Sequence, residues 1–266
     1  MLRNKKNIIT IYKTDESLNE AAAQLIADLA EKAVKERGRF VLSLSGGNTP
    51  KKLYALLAEK PFSKLPSWKN TFVFWGDERC VPMDDERNNA HMASDTLLKK
   101  IPIPSSNISP MPVELPPAEA AEKYEQTLRD FFGKDEPCFD LILLGLGDNG
   151  HTASLFPKTP VLHEQVRWVK DVVVKDHAAD VKHRITFTAP LINKARQILF
   201  LVTGIEKSEV LEKVLTGAYQ PDTYPAQLIK PEQGEIHWFI DDKAASNVVL
   251  SVSVSDSVLN KQQNKP

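Results

Sequence analysis

A chain of 266 residues can bury a sizeable core, as one large α/β domain or two small ones. Its 42% hydrophobic and 26% charged residues are ordinary for a water-soluble globular protein. Thirty-four Lys and Arg nearly cancel thirty-five Asp and Glu, a formal net charge of -1, so no overall basic field recruits nucleic acid and anion affinity must come from local placement. Cys80 and Cys138 are too few for a disulfide framework or a cysteine-rich zinc site, and read as buried free thiols in a reducing cytosol. No apolar run approaches membrane-spanning length, and the basic start MLRNKKNIITIYKT leads into a short strand, not a signal peptide. The expectation is a cytoplasmic protein without nucleic-acid or membrane partners.

Ile8 to Tyr12 alternates as a strand does. Asp15 or Ser17 is expected to cap a long helix whose apolar positions, Leu18, Ala22, Leu25, Ile26, Leu29 and Ala33, recur at helical spacing until Gly38 stops it. Arg39 to Leu44 is a second strand. It runs into SGGNTP (45–50) and a helix to Leu57, with Thr49 suited to the N-cap and Pro50 to the first helical position. Gly46 and Gly47 leave backbone amides open to close approach. With the helix dipole, the amides of Gly46, Gly47, Asn48 and Thr49 make a candidate anion site, although an ordinary βα turn would use the same residues. It is no Walker loop, because G-x-x-x-x-G-K-[ST] is absent. Ser43 and Ser45 do not stand in G-x-S-x-G, so a nucleophile elbow has no support.

Thr71 to Trp75 is a strand, followed by GDERCVP (76–82). Asp77, Glu78 and Arg79 there form either a solvated loop or, if strand edges converge, a wall whose Arg79 meets a polarised carbonyl or a phosphate. A helix around Asn89 to Lys100, a proline-rich connection and a helix from Ala118 to Phe132 come next.

FDLILLGLGDNGHTASLFP (139–157) is the most informative stretch: an apolar strand that empties into glycines, an aspartate and a histidine. Such an ending delivers polar chemistry to the carboxyl edge of a sheet, where open α/β folds bind ligands. Gly145, Gly147 and Gly150 spell the dinucleotide fingerprint, but Pro157 leaves no room for the crossover helix that a pyrophosphate needs. What remains is a tight turn presenting Asp148 and His151. An imidazole titrating near 6.5 can take and return a proton, and Asp148 is expected to orient it or support its charge. The competing reading is a structural histidine capping a turn.

A β-rich stretch spans Val166 to Val174, and strands Ile185 to Thr188 and Gln197 to Thr203 follow. Glu206 to Leu215 reads as a helix and Ile236 to Ile240 as the last core strand. Arg184 offers a fork of donors for a phosphate, and Lys207 a point charge at a helix start. Either alone would be a solvated cation; their value lies in convergence. His177, Asp180 and His183 would make a metal triad only on one helix, and solvated polar residues are the simpler reading. The alternation of strands and helices implies a single α/β domain over residues 1–266. Its sheet is expected to be open, mostly parallel and Rossmann-like, with helices on both faces and residues 250–266 as a flexible tail.

Five segments in order resemble the 6-phosphogluconolactonase family: SGGNTP (45–50), GDERCVP (76–82) with ERNNAHMA, GLGDNGHTASLFP (145–157), RITFT (184–188) with PLIN, and TGIEKSEVL (203–211). The resemblance runs from the first strand to about Ala244, with Asn48 standing where the family often has Ser. It implies a fold related to sugar-phosphate deaminases and ribose-5-phosphate isomerase. It also implies hydrolysis of 6-phosphogluconolactone in the oxidative pentose phosphate pathway, without metal or organic cofactor. His151, Asp148 and Arg79 would then be the catalytic group and Gly46, Gly47, Asn48, Thr49, Arg184 and Lys207 the phosphate cradle of a monomer. Glucosamine-6-phosphate deaminase is the nearest rival, but its FNEP carboxylate has no counterpart in ASLFP. A nicotinamide-dependent oxidoreductase and a non-catalytic sugar-phosphate sensor are rivals of other classes.

Overall fold

The computed structural model describes residues 7–174 and 180–248. In chain order it contains β1 (Asn7–Tyr12), α1 (Asp15–Arg37), β2 (Phe40–Leu44), α2 (Asn48–Leu57), β3 (Thr71–Trp75), β4 (Asp77–Arg79), α3 (Asn89–Thr96) and α4 (Pro117–Phe132). These are followed by β5 (Leu141–Gly145), β6 (Val169–Val173), β7 (His183–Phe187), α5 (Ala189–Ile192), β8 (Gln197–Val202), α6 (Ser208–Thr216) and β9 (Glu235–Asp241). Short 3-10 turns connect several of them.

Six strands form a parallel sheet in the order β1-β9-β8-β5-β2-β3. β2 is buried along its whole length and β5 and β8 almost so, which is why their sequences are nearly continuous apolar runs, with Ser43 in β2 and Gln197 at the start of β8 as the polar members, and not alternations. The chain winds outward from β2 to β3, then resumes on β2's other side with β5. The topological switch point therefore lies between β2 and β5, and the SGGNTP and GLGDNGH turns emerge there side by side.

A second, antiparallel sheet, β4-β7-β6, was not expected from the sequence. Asp77 to Arg79 carry three charges in a row, yet they are a strand, and not a solvated loop, because β7 pairs with them. Phe187 N–H donates to Gly76 C=O at 2.7 Å and ties this sheet to the end of β3. α4 backs it: the Tyr124 ring stacks on Phe187, and Glu125 accepts from Arg167 and from the amides of Trp168 and Val169. Buried residues of both sheets form one hydrophobic cluster, with Trp68, Trp75, Tyr54, Tyr124 and Phe200 among its largest members.

Helix boundaries correct two expectations. Thr14, and not Asp15 or Ser17, caps α1: its Oγ1 accepts from Ser17 N–H at 3.1 Å while Ser17 Oγ answers the Thr14 amide. Gly38, at φ 74°, ends the helix as expected. α2 starts a residue before Thr49, with Gly47 as its N-cap, since φ 106° there is a conformation glycine adopts freely. The two thiols are free but only half-buried. No helix among the described residues is long and apolar enough to cross a membrane. The sequence-predicted tail 250–266 and His177 lie outside the described residues.

Candidate active site

The carboxyl ends of β8, β5, β2 and β3, with the antiparallel sheet, enclose a cavity of about 420 Å³. That volume falls in the range of small-molecule sites. Gly46, Gly47, Asn48, Thr49, Arg79, Asp148, His151, Arg184 and Lys207 all line it. The turns after β2 and β5 meet there because their strands are neighbours; Thr203 and Lys207 arrive from β8. Thr49 Oγ1 and Thr203 Oγ1 are 2.8 Å apart, joining α2's first turn to the end of β8.

His151 is packed between backbone and ring. A Cβ on Gly147 would lie 2.0 Å from the imidazole, so only glycine leaves space for it. Its other neighbour is Phe156, stacked at 4.1 Å between centroids. Nδ1 lies 2.7 Å from Asn149 Oδ1, which also accepts from the His151 amide at 3.2 Å. Because a backbone N–H already faces that atom, it is the amide oxygen, and Nδ1 must carry the proton. Nε2 is left with its lone pair. Burial drives the imidazole pKa down to about 4; Asp77 opposes this, and Arg184 and Lys207 reinforce it.

The structure takes from Asp148 the orienting half of its expected role and leaves only the electrostatic half. Its carboxylate is largely exposed and pairs with the Lys207 ammonium instead of the imidazole. Neighbouring side chains on a tight turn diverge, and here the one turned toward His151 is Asn149. Asp148 acts on the imidazole only weakly and through space.

The antiparallel register sets Arg79 directly opposite Arg184. Like charges placed so are destabilising by themselves, and an anion between them is the natural relief. Arg184 Nε donates to Val181 C=O at 3.0 Å, and its guanidinium lies 5.9 Å from the Phe156 centroid, so one aromatic ring contacts both the imidazole and a cation. Arg79 Nη1 donates to Asn89 Oδ1 at 2.6 Å and to Arg87 C=O at 2.9 Å. Asp77 is buried, with Oδ2 accepting from Ser154 Oγ at 2.7 Å. Burial pushes the Glu78 carboxyl up to about 7, against the pull of three amides.

Asn89, Asn149 and Phe156 are among the site residues to which sequence reasoning gave no role. All three stand inside the segments that carried the resemblance, but uncharged side chains offer no chemical signal of their own. Among the described residues no three His, Cys, Asp or Glu gather as metal ligands, and Asp180 instead pairs with Arg87 at 3.3 Å.

Residues 13–238 match the family model described as glucosamine-6-phosphate isomerases/6-phosphogluconolactonase. A 6-phosphogluconolactonase of Synechocystis sp. is 44% identical over 235 residues, 87% of this chain and 94% of that protein. The solved 6-phosphogluconolactonase of Trypanosoma brucei superposes with a TM-score of 0.81 at 28% identity, covering 92% of this chain and 100% of that one. A solved monomeric glucosamine-6-phosphate deaminase, 24% identical, gives a TM-score of 0.75 over 90% and 99% of the two chains, a likeness of fold alone. Matched across most of its length in sequence and in shape, the chain belongs to the glucosamine-6-phosphate isomerase/6-phosphogluconolactonase family.

Proposed function

We propose that the chain hydrolyses 6-phosphoglucono-1,5-lactone to 6-phosphogluconate, with His151 as general base. The observation that carries this reading is the shared pocket: an imidazole with a free Nε2 opens into the same cavity as the facing guanidiniums of Arg79 and Arg184. The likeness to lactonases supports the choice of substrate.

A δ-lactone is an activated ester, so a positioned base, an anchored substrate and stabilisation of the oxyanion suffice. Nε2 takes a proton from water, and the water oxygen bonds to the lactone carbonyl carbon. The tetrahedral intermediate collapses by breaking the bond to the ring oxygen, which receives the proton back from Nε2. Asn149 keeps Nδ1–H engaged throughout, which fixes the ring and its tautomer. Arg79, Arg184, Lys207 and the turn from Gly46 to Thr49 hold the phosphate at the other end. Arg79 thereby moves from the expected catalytic trio to the anchor, because its cross-strand partner is Arg184. The same reading has one molecule acting alone in the cytoplasm, as a step of the oxidative pentose phosphate pathway.

The direct test is acid release from freshly prepared 6-phosphogluconolactone against a no-enzyme control; a rate equal to the spontaneous background removes the proposal. The pH dependence is a second test. With an imidazole pKa near 4, the base form persists throughout pH 5–8, so the enzyme's limb lies below that window and not at the 6.5 of an ordinary histidine. Asn149→Asp places a carboxylate against Nδ1 and favours the imidazolium. The acid limb of kcat/KM should then move up by about one to three pH units. The substrate phosphate's own ionisation is common to both enzymes and cancels. An unmoved limb would separate Asn149 from the base.

A further inference from the structure

β4 alternates as a strand must: Asp77 and Arg79 face the cavity, and Glu78 points away from it, into the start of α3. Glu78 is 1% exposed. Its Oε1 accepts from the Asn89 amide at 2.7 Å and the Arg79 amide at 2.8 Å, and its Oε2 from the Ala90 amide at 2.9 Å. Asn88 Oδ1 takes the His91 amide at 2.8 Å. The first three amides of α3, left without helical partners by geometry, are thus met by two side chains, one of them from a different element.

The helix so fixed carries Asn89 into the pocket. The Asn89 carboxamide is itself 1% exposed and makes three contacts. Nδ2 donates to Asp77 C=O at 2.9 Å, Oδ1 accepts from Arg79 at 2.6 Å, and the group fills the space above Gly46, where a Cβ would come within 1.8 Å of Oδ1. One amide group therefore sets the distance between the glycine turn and a guanidinium.

We propose that Glu78 is a positioning residue for the anion-binding wall: by clamping the first amides of α3 it places Asn89, and through Asn89 it aims Arg79 at the ligand. The inference rests on reading the cavity as a sugar-phosphate site. Glu78 touches no substrate, and its effect on binding is relayed by Asn89, mainly to the Arg79 guanidinium. A carboxylate suits this task because all three partners are donors, whereas an amide must turn its own NH2 toward one of them.

The test is a double-mutant cycle on Glu78→Gln and Arg79→Ala, read by KM and kcat for the lactone and by calorimetric binding of 6-phosphogluconate, the stable product. In the wild-type background Glu78→Gln should raise KM and the product Kd about tenfold while kcat stays within about threefold. In the Arg79→Ala background it should change either constant by less than about twofold. Equal effects in both backgrounds would make Glu78 a general support of the fold and overturn the proposal, as would a folded Glu78→Gln protein with unaltered binding. Should Glu78→Gln fail to fold, Asn89→Ala replaces it in the cycle, and additivity with Arg79→Ala again overturns the chain of contacts. A wild-type protein that neither hydrolyses the lactone nor binds the product refutes the sugar-phosphate reading itself, a result distinct from any outcome of the cycle.

Discussion

His151→Ala is expected to lower kcat by about 10²–10⁴-fold while KM stays within about threefold. The imidazole offers the pocket a free basic nitrogen, and with its pKa held near 4 it stands wholly in the base form at neutral pH. Its removal leaves the phosphate anchor intact, so the variant should still bind 6-phosphogluconate with wild-type affinity. The residual rate will exceed the uncatalysed one, since the phosphate anchor still positions the substrate. Single-turnover hydrolysis, corrected for spontaneous opening of the lactone, gives the number directly. Turnover unchanged above that background would take His151 out of the chemistry.

Arg184→Ala should act on the other axis, raising KM about 10- to 150-fold with little change in kcat. The range follows from about 1.5–3 kcal/mol for a hydrogen bond to a charged group. A phosphate remote from the reacting carbonyl is gripped equally in the ground and transition states, so its loss appears as weaker binding. The partly enclosed guanidinium, set between the Val181 carbonyl and the Phe156 ring, is held ready before a ligand arrives. Lys at this position would keep the charge and lose the fork, and should recover only part of the affinity. An Arg184→Ala enzyme with normal KM and reduced kcat would place this arginine at the carbonyl instead.

The parallel sheet was legible in the sequence because strands buried on both faces must be nearly all apolar: Leu141 to Leu144 and Ile198 to Val202 are so throughout, and Val41 to Leu44 is broken only by Ser43. The pocket's position followed from chemistry gathered at strand ends. β4 was not legible. Asp77-Glu78-Arg79 has no strand-like composition, and its pairing with β7 more than a hundred residues later is a tertiary fact. Asp148 and Asn149 show the limit most sharply. Both lie within reach of His151 along the chain, and charge favoured the aspartate. The turn decides between them, bringing the neutral amide to Nδ1 and the carboxylate to Lys207. Asn89 was missed for a similar reason: ten residues beyond Arg79, it comes back to it only because α3 begins against β4.

The pocket straddles the join between two sheets. Gly46, His151 and Lys207 stand on turns of the parallel one, Arg79 and Arg184 on strands of the antiparallel one. Across that join run the Phe187–Gly76 backbone bond and the two bonds from Ser154, to Thr186 and to Asp77. An occupant gripped from both sides works as a rivet. Its binding free energy is added to the cohesion between the sheets, so resistance to heat becomes a function of how much ligand is present.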